Sequence, residues 1–104
     1  MVVIGLLTCP MESTRELAES FLDLPPSPDY IHLKGNYCYA EKDKGMQNII
    51  IWEVERGRMA DAIESLTSRW VRIYAGIPGI SFSVIPGMDL EESLRMHGLL
   101  KVRK

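Results

Sequence analysis

Few side chains of this 104-residue chain stand where they could do chemistry, and Cys9 is the first of them. It follows an apolar run and precedes Pro10 and a helical stretch. A thiol at a helix N-terminus has a lowered pKa and is nucleophilic. No histidine or second cysteine lies near it in sequence, which favours a small, semi-buried structural residue instead.

The two histidines are the next candidates for acid–base chemistry or metal binding. His32 lies on the more polar side of a predicted strand, and His97 ends the last predicted helix, where it suits the negative helix end. Neither belongs to an HxH, an HExxH or a carboxylate–histidine pair. The sequence therefore predicts no metal site and no cofactor, and it identifies no catalytic residue.

Arginines and tryptophans offer a third kind of site. Arg69 and Arg72 share a predicted outer helix face with Asp61 and Glu64, which favours a mixed solvated surface over an anion site. Trp70 lies at the centre of an apolar helix stripe and is therefore expected in the core. Glycines are scattered singly, so no loop that cradles phosphate is predicted.

The elements that must position these residues follow from hydrophobic periodicity. Strands are predicted over Val2 to Leu7, Tyr30 to Glu41, Gln47 to Glu55 and Gly79 to Ile85. Helices are predicted over Met11 to Asp23 and Arg58 to Tyr74, and a short last helix from Asp89 should stop at Gly98. The tail from Leu99 to Lys104 is a short added strand or is frayed.

The order βαββαβ predicts an α+β domain with a ferredoxin-like arrangement. Two helices cover one face of a four-stranded antiparallel sheet, and a short C-terminal helix is added. The second strand is expected at the sheet edge because one of its sides is polar. Residues 1–104 form one domain, since a chain of this length builds one core.

Several short motifs resemble those of a family of small, uncharacterised prokaryotic proteins. They span nearly the whole chain: the run Phe21-Leu22-x-x-Pro25-Pro26-x-Pro28-x-Tyr30-Ile31, Gly35-x-Tyr37, Gly45, Arg69-Trp70, Ile77-Pro78-Gly79 and Glu92-x-Leu94-x-Met96-x-Gly98. The resemblance implies the fold and supplies no catalytic residue. In architecture the chain is also similar to the dimeric α+β barrel superfamily, which includes cofactor-free monooxygenases, small isomerases, haem-dependent enzymes and amino-acid-sensing domains. That similarity does not fix a function.

The face of the sheet that the helices leave open is the predicted functional surface. Strands one and three are apolar on both sides, so an exposed apolar patch is expected, and with it a homodimer joined through the open faces. The alternation of strand four places Ser81 and Ser83 on that open face. Trp52 is expected beside them, with Tyr37 and Tyr39 at the rim of a small pocket.

The composition limits the classes of partner that the protein is expected to bind. A formal charge of −2, with 25% charged and 46% apolar residues, does not favour nucleic acid or anionic lipid. No apolar run has the length of a signal peptide core or of a membrane span, and two unpaired cysteines suit a reducing cytoplasm.

The sequence is compatible with two function classes. One is a non-catalytic module for self-assembly or protein interaction. The alternative is a sensor or cofactor-free enzyme that binds a small apolar or aromatic metabolite. Titratable groups in a cavity would favour the second class, and a sealed dimer interface would favour the first.

Overall fold

The computed structural model describes residues 1–22, 24 and 26–99. Its strands are β1 (Val2–Cys9), β2 (Ile31–Glu41), β3 (Gly45–Val54) and β4 (Ser81–Gly87). Its α-helices are α1 (Thr14–Leu22), α2 (Met59–Tyr74) and α3 (Leu90–Met96), and a 3₁₀ turn, Met11–Ser13, precedes α1.

The four strands form one antiparallel sheet in the order β2-β3-β1-β4. This order, with α1 and α2 as the two crossovers, is the ferredoxin-like arrangement, so the predicted fold class is confirmed. β2 lies at one edge, as its polar side predicted. β4 lies at the other edge, which explains how Pro86 fits within it, because an edge strand can lose one ladder donor.

The core lies between the sheet and the helices α1 and α2. Trp70 of α2 is its centre: its ring makes edge contacts with Trp52, Tyr74 and Phe82 at centroid distances of 5.7, 5.5 and 5.4 Å. The apolar stripe of α2 is buried as its periodicity predicted, with Ala62, Leu66, Trp70 and Tyr74 inside.

A β-bulge between Leu33 and Gly35 changes which side of β2 each residue faces. Before the bulge, Ile31 and Leu33 pair with the core-facing residues of β3. After it, Asn36 pairs with Ile50 and Cys38 with Asn48, so these polar residues take over the helix side. Strict alternation along the predicted strand would place Ile31, Leu33, Tyr37 and Tyr39 on one side, and that prediction is wrong because one extra residue shifts the alternation.

Capping interactions at both ends fix the limits of α3. Asp89 and Glu92 form a reciprocal capping box at its start. At its end Gly98 has a φ of 68°, and the amide of Leu99 donates to the carbonyl of Leu94 at 2.8 Å. The predicted stop at Gly98 is confirmed. The prediction for the tail falls mainly on residues 100–104, which lie outside the described residues.

Candidate functional site

The sheet has a helix-covered face and a second face, called the open face below. Apart from Gly45, the buried sheet residues belong to the helix-covered side, which carries Val3, Leu7, Ile50, Trp52 and Val54 among others. The register of the strands places the alternate residues on the open face: Val2, Ile4, Leu6, Thr8, Gln47, Ile49, Ile51, Glu53, Ser81, Ser83, Ile85, His32, Tyr37 and Tyr39.

Apolar side chains run across the middle of the open face. Ile4 of β1 lies between Ile51 of β3 and Ile85 of β4. One step along, Leu6 pairs with Ile49, which pairs in turn with Tyr37. Leu6 and Ile85 are 41% and 40% exposed, and Tyr37 is 62% exposed. The predicted exposed apolar patch is present, since neither α1 nor α2 packs against these residues.

One end of the open face carries a shallow depression of about 350 Å³. Thr8, Gln47, Ser81, Ser83 and Tyr39 contribute its polar groups, and Leu6 and Ile49 contribute apolar ones. The Thr8 hydroxyl donates to the Gln47 side-chain oxygen at 2.9 Å. No acid or base of the described chain lines the depression, so its chemistry is hydrogen bonding.

The structure brings together some of the predicted site residues and separates others. Ser81, Ser83 and Tyr39 line the depression together. Tyr37 is on the same face and pairs with Ile49, but it does not itself line the depression. Trp52 lies on the helix-covered face, 5% exposed, so its expected place beside the serines is wrong. Isoleucines occur on both sides of β3, so the sequence does not show which side faces the helices. In the structure the Trp52 side faces them, because its ring packs against the indole of Trp70.

Cys9 does not have the environment of a reactive thiol. It is fully buried, and its Sγ donates to the carbonyl of Pro10 at 3.5 Å. Burial raises its pKa, and the carboxylates of Glu16 and Glu12 raise it further. The structural interpretation of Cys9 therefore holds, and the nucleophilic one does not.

The histidines and Arg69 are placed differently from one another. His32 and His97 are both exposed and lie on separate elements. Arg69 is half-buried instead of lying on a solvated helix face, and its Nη1 donates to the Ser27 hydroxyl at 2.9 Å. Burial lowers the pKa of its guanidinium. The segment before β2 covers this part of α2, which helical periodicity alone does not reveal.

Within residues 1–22, 24 and 26–99, no three His, Cys, Asp or Glu side chains converge as metal ligands. Among the described helices, none combines the length and apolarity needed to span a membrane.

No known family model matches the chain, and no curated protein matches it. Among solved structures it is similar to a formyltetrahydrofolate deformylase from Pseudomonas putida KT2440, with a TM-score of 0.42 and 11% identity. The match covers 84% of this chain and 29% of that one, so this chain spans less than a third of the enzyme's length.

Proposed function

We propose that this protein is a self-assembling module, a homodimer whose two subunits pack open face to open face. The observation that carries the proposal is the continuous apolar strip across the open face, from Ile85 through Ile4 to Ile51. Monomers rarely keep so large a contiguous apolar surface in water.

The charge distribution supports a protein–protein contact. In the described sheet, charged side chains on the open face lie only near its ends. Glu53 at one end pairs with Lys34 at 3.4 Å, and Glu41 at the other lies 3.8 Å from Lys44. Interface centres are depleted of charge and carry polar rims, as here. A two-fold axis through the apolar strip would make the contact isologous.

The size of the open face sets a condition on the contact. Four strands of 8, 11, 10 and 7 residues, about 4.8 Å apart and rising about 3.3 Å per residue, cover roughly 570 Å² of flat area. A stable interface buries about 800 Å² on each partner. A dimer contact of that size therefore uses the whole open face, including Tyr37 and Tyr39 of β2, and not the apolar strip alone.

A second candidate function rests on the depression at Ser81 and Ser83. Two open faces in contact would close this 350 Å³ space and leave hydroxyl groups and apolar side chains around it. Such a space suits a small apolar or aromatic metabolite with one or two polar atoms. With no acid or base among its described lining residues, it suits a binding sensor better than an enzyme.

Light scattering on the purified protein tests the dimer. We expect twice the 11.8 kDa chain mass at micromolar concentration. Leu6→Glu, at the centre of the open face, should give a monomer because it buries a charge in the contact. Val71→Glu is the matched control: Val71 is 52% exposed on the outer side of α2, so this variant should remain dimeric.

A wild-type protein of monomeric mass at this concentration would contradict the proposal. So would a Leu6→Glu variant that is folded by circular dichroism and still dimeric. For the second candidate, Ser83→Leu should fill the depression and abolish binding of any metabolite found by calorimetric screening. Unchanged affinity in that variant would place the ligand elsewhere.

A further inference from the structure

A row of uncharged polar side chains crosses the open face at the end where the depression lies. The register pairs Thr8 of β1 with Ser81 of β4 on one side and with Gln47 of β3 on the other, and Gln47 pairs with Tyr39 of β2. Adjacent strands lie about 4.8 Å apart, so neighbouring members of the row can contact one ligand together. These four residues, called the polar row below, all line the depression.

One hydrogen bond sets the direction of the groups at the centre of the polar row. The Thr8 hydroxyl donates to Oε1 of Gln47 at 2.9 Å, and Nε2 of Gln47 faces the carbonyl of Lys44 at 3.5 Å. Because the Thr8 proton is used in this bond, the Thr8 oxygen presents only lone pairs to a ligand. The centre of the polar row is therefore a hydrogen-bond acceptor.

Hydroxyl groups on the neighbouring strands supply the donors. Ser81 and Ser83 lie on the same side of β4, and both are exposed. The phenol of Tyr39 lies at the other end of the polar row. A hydroxyl group rotates about its C–O bond and can donate its proton to a ligand oxygen. The depression thus offers an acceptor with donors on both sides of it.

The depression offers no charge to a ligand. Among its described lining residues there is no carboxylate, ammonium, guanidinium or imidazole group. In the adjoining β2–β3 turn, Glu41 and Lys44 lie 3.8 Å apart and pair with each other. An ion that gave up its hydration in the depression would meet no opposite charge, and that loss is costly. The depression therefore discriminates against anions and cations alike.

Apolar side chains form the rest of the lining. Leu6 and Ile49 pair across β1 and β3, two residues along each strand from the polar row, and both line the depression. Two branched side chains side by side on a sheet make a flat surface, which suits a planar ring. The volume of about 350 Å³ exceeds the roughly 150 Å³ that accommodates benzene.

We propose that the depression binds an uncharged aromatic carboxamide. Its amide N–H donates to the Thr8 oxygen, its carbonyl accepts from the Ser81 hydroxyl, and its ring lies against Leu6 and Ile49. A primary amide carries a donor and an acceptor side by side, as the polar row requires. A carboxylate of the same shape would bring a second oxygen to Thr8, and an amidinium has no acceptor for Ser81. This inference rests on the second candidate function and names the ligand class of that site.

Benzamide, benzoate and benzamidine have nearly the same shape and differ in charge, so together they test the proposal. Each is titrated at pH 7 and constant ionic strength into isotopically labelled protein, and the backbone amide NMR signals are followed. We expect saturable shifts with benzamide at Thr8, Ser81 and Ser83, and at least tenfold weaker binding of the two ions. Thr8→Val, which replaces the hydroxyl by a methyl group, should weaken benzamide binding about fivefold. Thr67→Val, exposed on α2, is the matched control and should bind as the wild type does.

Four results would each overturn the proposal. They are no saturable shift with benzamide, shifts confined to other parts of the chain, an ion that binds as tightly as benzamide, and a folded Thr8→Val variant with wild-type affinity. If the NMR spectrum shows that Thr8→Val does not fold, Ser81→Ala decides in its place and should also weaken benzamide binding.

Failure of the proposed function is measured separately. Light scattering reports the dimer, and Ser83→Leu reports whether the depression binds a ligand at all. If benzoate bound as tightly as benzamide and lost its affinity in Ser83→Leu, the site would stand and only its ligand class would be refuted.

Discussion

Gly5 occupies the centre of β1, on the helix-covered face, between Ile50 of β3 and Val84 of β4. A Cβ at this position would lie 2.6 Å from Cη2 of Trp70 and 2.8 Å from Cζ3 of Trp52. Both indoles are buried and packed against each other. We predict that Gly5→Ala destabilises the protein, because neither ring can withdraw without opening the core.

The magnitude follows from two opposing terms. Replacing a glycine by alanine where the backbone permits it stabilises by about 0.4–1 kcal/mol, through the unfolded chain. Overpacking a dense core costs about 1–3 kcal/mol. At separations of 2.6 and 2.8 Å from two rigid rings, the upper end of that cost applies, for a net loss of about 2–2.5 kcal/mol. In a domain of about 100 residues this lowers the Tm by roughly 8–20 °C.

Urea unfolding followed by circular dichroism measures the effect. Gly76→Ala is the matched control: no atom lies within 4 Å of its Cβ, so its stability should be unchanged or slightly higher. Adding Trp52→Leu to Gly5→Ala should cost less than Trp52→Leu alone, since the smaller side chain relieves the clash. If Gly5→Ala unfolds at the same midpoint as the wild type, the indoles do not rest on the β1 backbone and the packing described here is wrong.

Three further predictions concern the core, the buried phenol and the last helix. Trp70→Ala should cost about 3–5 kcal/mol in chemical unfolding, since Trp70 is 2% exposed among three other rings; an unchanged midpoint would place α2 elsewhere. The free energy of unfolding should fall between pH 10 and about 12, because only the unfolded chain releases the Tyr74 proton in that interval. Tyr74→Phe should show a shallower fall, and equal slopes in the two proteins would refute the raised pKa of Tyr74. Asp89→Ala should raise hydrogen exchange in α3 several-fold, with a loss of about 1 kcal/mol confined to that helix, whereas unaltered exchange would show that the capping box does not hold it.

Local sequence signals determined most of the fold. The spacing of Leu66, Trp70 and Ile73 predicted α2 and its inward face, and Gly98 predicted the end of α3. Predicted and observed strand bounds differ by up to two residues, as for β4, which begins at Ser81 after the positive φ of Gly79. Alternation also placed Ser81 and Ser83 on the open face correctly, because Phe82 and Val84 are the larger apolar pair and larger apolar side chains go to the core.

Tertiary packing determined which side of a strand or helix is buried where the periodic pattern allows either. A strand with isoleucine on both sides can bury either side, and the contact with the buried indole of Trp70 places Trp52 on the helix-covered side. The bulge at Leu33 and Gly35 reversed the alternation of β2 after its first residues, which brought Asn36 to the helix-covered side and Tyr37 to the open face. Arg69 became half-buried because the segment carrying Ser27 returns across α2. Each outcome depends on residues distant in sequence that compete for one volume, and local periodicity carries no information about that competition.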